Sequence, residues 1–347
     1  MRQFVLGAAL VLAMAGTCLA KDQRAQFKAI TAQEQSDPHG TYSAMMSLAE
    51  EGYAPAIDRV GYYLRKGIGT RTDLEAARQW YMRAVEAGHP WSTASLARVE
   101  IELGRGDTAL RLLHAGVLEG LPGTERLLAT AHIDRKLGAA SDPQQGRAML
   151  ERMARNGDRN AARDLVVRFN WNRLGGQASE AAVDQVVRAG LDGDARFAKA
   201  GLTYLSQQAD KGEEAIRTRA LLAAIPGIPD RTLSPELVRL AAETHPRQFW
   251  TKVEDILADT ETDNYARTAS TAFWINKNAW VRVLQQELRA LEYYQGRING
   301  RMTTRTIRAQ NRYCRERGLW AVCATGPLRG ATVRAVAGAI ALDKKSL

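Results

Sequence analysis

Histidine and cysteine are scarce in this chain of 347 residues: there are five of the first and three of the second. His89, His114, His132 and His245 stand alone, without a His-Glu-x-x-His pair or another ligand spacing, so zinc hydrolysis has no ligand set. None of Cys18, Cys314 and Cys323 has a histidine beside it in sequence, so a thiolate nucleophile lacks its base. Valine and isoleucine are less common than Ala, Leu and Arg, a balance that favours helix. The one apolar run of note, Phe4 to Ala15, is twelve residues long. That is too short to cross a bilayer core of roughly 30 Å as a helix. A protein without catalytic residues, cofactor or metal is expected.

What is present at the start is a targeting pattern. Arg2 supplies a charged beginning, the short apolar run follows, and Ala13-Met14-Ala15 and Cys18-Leu19-Ala20 both fit a small-x-small cleavage rule. Cleavage after Ala20 is expected, because Lys21-Asp22 opens a polar segment. An exported protein in a bacterial periplasm would then keep Cys314 and Cys323 alone. In an oxidising compartment a pair nine residues apart reads as one local disulfide, two free thiols being the alternative.

Positive charge is concentrated at one end. The formal net charge is +10. From Arg282 to Leu347 thirteen Arg and Lys face four acids, Glu287, Glu292, Glu316 and Asp343, a balance of +9. The rest of the chain is nearly neutral. An exported basic segment meets anionic polymer, such as cell wall or acidic polysaccharide, more readily than nucleic acid.

The middle of the chain repeats. Gly52, Gly88, Gly120, Gly157 and Gly193 each close an Ala/Leu-rich stretch and lie 36, 32, 37 and 36 residues apart. Gly67, Gly69, Gly104, Gly106, Gly138, Gly175 and Gly176 punctuate the intervals. Each unit is therefore helix, turn, helix, turn. In the clearest copy, 54–90, Ile57, Val60, Gly61 and Leu64 share one helical face. Ala76, Ala77, Trp80, Tyr81 and Ala84 share the face of a second helix, with Asp73 as its N-cap.

The positions Ala56, Val60, Gly61, Tyr63, Gly67, Gly69, Asp73, Ala77, Trp80, Tyr81, Ala84 and Gly88 resemble a Sel-one-like repeat, a relative of the tetratricopeptide repeat. The resemblance covers roughly 40–220. It implies an all-α solenoid of helix-turn-helix repeats that holds protein partners and is not itself catalytic. Trp80, Tyr62, Tyr63 and Tyr81 are expected as core between repeats.

Ile225-Pro226-Gly227 is a break, after which Ser234 as N-cap and Pro235 at the first helical position would start a new helix. Residues 235–245, 246–260 and 264–278 read as helices of a joining segment without assignable chemistry. Beyond it, Leu284, Leu288 and Leu291 face one side of a helix that Tyr293-Tyr294-Gln295-Gly296 ends. Asn299-Gly300 turns the chain. Thr303 or Thr304 caps a further helix with Thr306, Ala309 and Tyr313 inward. Arg301, Arg305, Arg308, Arg312 and Arg315 then form a stripe on its other side.

Leu284, Gln285, Leu288, Leu291, Tyr293, Tyr294, Gly296, Ile298, Gly300, Thr306, Ala309, Tyr313, Gly318 and Leu319 resemble the peptidoglycan-binding-domain-like family, a small three-helix module. Glu292 and Thr303 stand where that family has glycine, Asn299 where it has Asp, Gln310 where it is apolar and Cys314 where it has Gln. The resemblance implies a site for peptidoglycan or an acidic polysaccharide, with Tyr293, Tyr294, Arg297, Asn299, Arg301, Arg305, Arg308 and Arg312 as candidate glycan-binding residues.

The expected organisation is a signal over 1–20, a lead-in over 21–39, the repeat solenoid over 40–222, the joining segment over 223–277 and the basic module over 278–347. The expected role is an exported scaffold that binds a periplasmic or membrane protein through its repeats and a glycan through its basic end, in envelope organisation or exopolysaccharide export. A periplasmic regulator of an inner-membrane sensor, or a non-catalytic accessory of a wall hydrolase, is the alternative.

Overall fold

A computed structural model describes residues 22–208 and 212–346, so the expected signal over 1–20 lies outside the described residues. All regular secondary structure among the described residues is helical. The chain forms two compact units: Met1–Asn156 with Arg173–Gly175, and Gly157–Asn172 with Gly176–Leu347.

The first unit holds α1 (22–32), α2 (Pro38–Glu50), α3 (Ala54–Lys66), α4 (Leu74–Glu86), α5 (Ser92–Glu102), α6 (Gly106–Leu118), α7 (Thr124–Ile133) and α8 (Pro143–Arg155). The pairs α3/α4, α5/α6 and α7/α8 pack as hairpins, and α3, α5 and α7 also touch in series. This is the stacking of a helical-repeat array. Ile57, Val60, Gly61 and Leu64 are buried on α3, and Ala77, Tyr81 and Ala84 on α4, as the spacing predicts. Asp73 caps α4 by accepting the Ala76 N–H at 2.9 Å.

Two aromatic residues pack against the expected core from its edge rather than from inside it. Trp80 is only partly buried, with the Arg83 guanidinium 4.1 Å from its ring centre. Tyr62 is half-buried beneath Arg59. Both sit one step off the buried stripe, where the helical period turns them toward solvent and a neighbouring arginine covers the ring. Tyr63 and Tyr81 are buried. A β-carbon on Gly61 would stand 3.1 Å from the Tyr81 ring, so this glycine lets α4 lie close on α3.

The repeat-closing glycines differ in what surrounds them. Gly67 ends α3 in the left-handed region, at φ 71°. Gly69 has φ +67° and lies so close to α2 that an added β-carbon would stand 2.0 Å from the Pro38 carbonyl oxygen. Gly88 has φ +74° but open space around it. Gly88→Ala should therefore cost only the left-handed penalty, about 1–2 kcal/mol. Gly69→Ala adds a collision with main chain and should cost distinctly more in urea unfolding of the whole protein. Equal losses would mean that the 67–72 loop is not held against α2.

His132 on α7 is buried, and its Nδ1 accepts the Asp142 N–H at 3.0 Å. Desolvation holds its pKa below the usual 6.5, with His114 acting in the same direction and Asp142 opposing. The unfolded chain then binds the proton more readily than the fold. Stability is fully present above the ordinary histidine pKa and falls as pH drops through and below it. The melting temperature should decline from pH 7 to pH 5, and the decline should be shallower in His132→Gln.

The second unit holds α9 (Arg159–Asn170), α10 (Glu180–Leu191), α11 (Ala195–Gln207), α12 (Glu213–Ala223), α13 (Asp230–Thr244), α14 (Phe249–Asp259), α15 (Thr262–Ile275), α16 (Lys277–Ala290), α17 (Thr304–Glu316), α18 (Trp320–Cys323) and α19 (Gly330–Ser346). Here α9, α11, α13 and α15 touch in series, and α15 packs along α19. A β-carbon on Gly190 would stand 2.7 Å from the Cα of Ala198, so α10 and α11 are in backbone contact.

Two expectations change in this unit. The helix predicted to begin at Ser234-Pro235 begins at Asp230, with Pro235 inside it. Asp230 takes the Ser234 hydroxyl and also accepts the Glu261 N–H at 3.2 Å, which carries the helix a turn further back. The border expected at 277/278 falls inside one core. Val238, Val253, Tyr265, Phe273, Trp280, Leu284, Tyr313, Val336 and Ile340 belong to a single buried cluster. Because α19 packs along α15, the helices of the three-helix pattern share their core with the joining segment.

Candidate functional site

The basic stretch is organised by one buried amide. Gln285, on α16, has no exposed surface. Its Oε1 accepts the N–H groups of Asn299 at 2.9 Å and Gly300 at 3.0 Å. Its Nε2 donates to the Arg301 carbonyl and to Thr306 Oγ1, each at 3.0 Å, and to Asn299 Oδ1 at 3.3 Å. One side chain thus ties α16 to the turn and the turn to α17. Gly300 sits at φ +69°, and a β-carbon there would stand 2.8 Å from the Asn278 carbonyl oxygen and 3.1 Å from the Trp250 ring. Thr303 caps α17 through the Thr306 N–H.

Glu292 ends α16 with φ 64°, at one of the positions where the resembled family has glycine. A left-handed residue with a side chain costs about 1–2 kcal/mol. The turn is held in place by Leu288, whose carbonyl accepts from the N–H groups of both Tyr293 and Tyr294, at 2.7 and 2.9 Å.

On α17, Thr306, Ala309, Gln310, Tyr313 and Cys314 are buried, and Arg305, Arg308, Arg312 and Arg315 are exposed. Tyr313 stacks edge-on with Tyr293 at 5.1 Å, and its hydroxyl donates to Asp343 of α19 at 2.7 Å. Burial, and then Asp343, push that hydroxyl well above the ordinary tyrosine range, so it remains a donor. Arg317 also donates to Asp343, at 2.9 Å. Cys314 and Cys323 form a disulfide that joins α17 to α18.

Between the 293–295 segment and α17 lies a groove of about 520 Å³. Tyr293, Tyr294 and Gln295 make one wall, and Thr304, Arg305, Arg308, Ala309 and Arg312 make the other. Tyr294 is buried, and its hydroxyl donates to the Arg297 carbonyl at 2.8 Å. Tyr293 is half-exposed, with the Arg312 guanidinium 5.2 Å from its ring centre. Arg312 also donates to the carbonyls of Tyr293 and Glu292, at 2.8 and 3.3 Å. The guanidinium groups of Arg305 and Arg308 have no hydrogen bond or ion pair among the described residues. A tyrosine face beside two unsatisfied guanidinium forks is suited to an anionic group attached to a flat, partly apolar body.

Of the eight candidate residues, five line this groove: Tyr293, Tyr294, Arg305, Arg308 and Arg312. Arg297 and Arg301 are exposed but lie outside it. Asn299 spends its side chain inside the turn, where Oδ1 accepts the Arg301 N–H at 3.0 Å. The stripe is divided further down, because Arg315 stacks on Trp320, 4.4 Å from the ring centre. Gln295 and Thr304 enter the groove without a signal in the sequence beyond their place beside the tyrosines and at the helix start. Gln285 was visible only as a matching position; its role needs the turn folded back over α16.

No family model matches the chain, and no curated protein matches it. Among solved structures it is similar to a protective antigen of uropathogenic Escherichia coli that displays an SLR fold. Identity there is 18% and the TM-score 0.44, over 94% of this chain and 73% of that one. A Sel1 repeat protein from Oxalobacter formigenes is similar at 18% identity and a TM-score of 0.42, over 68% of this chain and 98% of the other. The helical-repeat architecture of this chain stands on its own glycine turns and helix pairing.

Gln285→Ala would leave the buried Gly300 N–H, and the part-buried Asn299 N–H beside it, without their acceptor. A loss of about 2–4 kcal/mol is expected in urea unfolding followed by tryptophan fluorescence. A loss below about 1 kcal/mol would show that water replaces the amide and that the turn does not depend on it.

Proposed function

We propose that this protein is an exported, non-catalytic scaffold whose helical repeats hold a protein partner and whose α17 groove binds peptidoglycan or a similar anionic glycan. The observation that carries the glycan half is the pair Arg305 and Arg308, without partners in the fold, facing the Tyr293 wall. Peptidoglycan offers sugar faces for the ring and peptide carboxylates for the guanidinium groups. The +9 balance of residues 282–347 would draw such a polymer in, most strongly at low ionic strength. The partner half rests on the stacked hairpins of the first unit, an arrangement that builds extended binding surfaces. Export rests on the pattern of residues 1–20. Envelope organisation or exopolysaccharide export is the setting in which such a scaffold would serve.

The test is co-sedimentation of the mature protein with insoluble peptidoglycan sacculi at low and moderate salt. Binding should weaken as salt rises. Arg305→Ala with Arg308→Ala should reduce affinity on the order of tenfold, while Arg301→Ala, outside the groove, should leave it nearly unchanged. Absence of binding at low salt, or equal losses in the two variants, would remove the groove from the proposal.

A further inference from the structure

The second unit carries another basic groove, in the stretch to which the sequence assigns no chemistry. It is about 370 Å³ and lies across three helices packed side by side, α11, α13 and α15. Arg231, Pro235, Glu236 and Arg239 of α13 line it, with Thr203 of α11 and Arg267 of α15 on its two sides. Pro235 has no N–H to offer the Arg231 carbonyl, so the backbone of α13 is one hydrogen bond short at the groove.

Its charge is arranged from below. Arg219 of α12 is fully buried and donates to Glu236 Oε1 and Glu243 Oε2, each at 2.7 Å. Glu236 Oε2 takes the Arg239 guanidinium at 3.1 Å. Both oxygens of Glu236 are therefore committed, and its buried charge is answered twice. Asp230, the other acid next to Arg231 in sequence, is held by Ser234 and by the Glu261 N–H. The side chains of Arg231 and Arg267 are exposed, and their guanidinium groups have no hydrogen bond or ion pair among the described residues; the Arg267 carbonyl accepts the Thr271 hydroxyl at 3.2 Å. Among the described residues the lining thus has three guanidinium groups against one carboxylate.

We infer that this groove is a docking site for an acidic peptide segment of a protein partner, with Arg231 and Arg267 each taking a carboxylate. Planar guanidinium groups bind carboxylates in a two-pronged way. Among the described residues that line it there is no aromatic ring, in contrast to the tyrosine-walled groove on α17, so they offer a sugar no face on which to stack. Its hydroxyl and proline lining instead suits extended peptide. This inference deepens the partner-binding half of the proposed function and rests on it.

The probe is a fluorescein-labelled peptide of six glutamates, titrated with the full chain and followed by anisotropy at low salt. Wild type should bind. Arg231→Ala with Arg267→Ala should weaken binding tenfold or more at unchanged melting temperature, since neither side chain has a partner to lose. Arg305→Ala with Arg308→Ala should leave peptide binding unaltered. Absence of binding, or a loss confined to the second pair, overturns the inference. So does competition by oligogalacturonate at concentrations equal to the peptide's. Photo-crosslinkers placed in cells at Thr271 and at the exposed Trp91 of the first unit separate the two readings. A partner captured only from Trp91 sinks the groove and keeps the scaffold, and capture from neither sinks both.

Discussion

Close approach of helices is the constraint on which both units depend. In the first, α4 can press Tyr81 onto α3 only because residue 61 has no side chain. In the second, α10 and α11 meet at Gly190 with main chain against main chain. Helices this near leave room for a large side chain only where a small residue stands opposite it. The buried surface therefore interleaves many alanines with leucines, valines and a few tyrosines. Packing of that kind is intolerant of added volume, and it makes the small residues as binding a specification as the large ones.

In a mostly apolar interior, two of the large polar side chains that do go inside have defined partners. Gln285 spends its whole amide on one turn, and Arg219 spends its guanidinium on two glutamates. These commitments shape the surface. Glu236 is held by Arg219 and Arg239, Glu316 takes the Tyr293 hydroxyl, and Asp343 is held by Tyr313 and Arg317, so these acids are already engaged. The neighbouring arginines are left over. Unsatisfied positive charge on this protein is thus a product of where the carboxylates are buried, not only of how many arginines there are.

The same logic separates arginines that look equivalent in sequence. Arg305, Arg308, Arg312 and Arg315 follow one helical stripe, yet Arg312 is drawn to two carbonyls of the α16 turn and Arg315 to the ring of Trp320. Only the first two point free charge into the groove. The second groove combines Thr203, Arg231 and Arg267, which are far apart in the chain and share no periodic signal.

Local rules made much of this protein legible. The glycine period, the buried stripe of α3, the Asp73 and Thr303 caps, the Asn-Gly turn, the pairing of Cys314 with Cys323 and the basic C-terminal end all rest on neighbours within a few residues or on composition. Contacts between distant segments were not legible. Asp230, by taking Ser234 and Glu261, moved the start of α13; α19, by packing on α15, merged the joining segment with the basic helices. By itself the sequence determined which residues turn helical and where the chain must bend, because those choices depend on backbone and side-chain preferences within one or two turns. Tertiary structure alone decided which arginines stay free, because that depends on carboxylates and carbonyls brought close only when helices remote in sequence pack together.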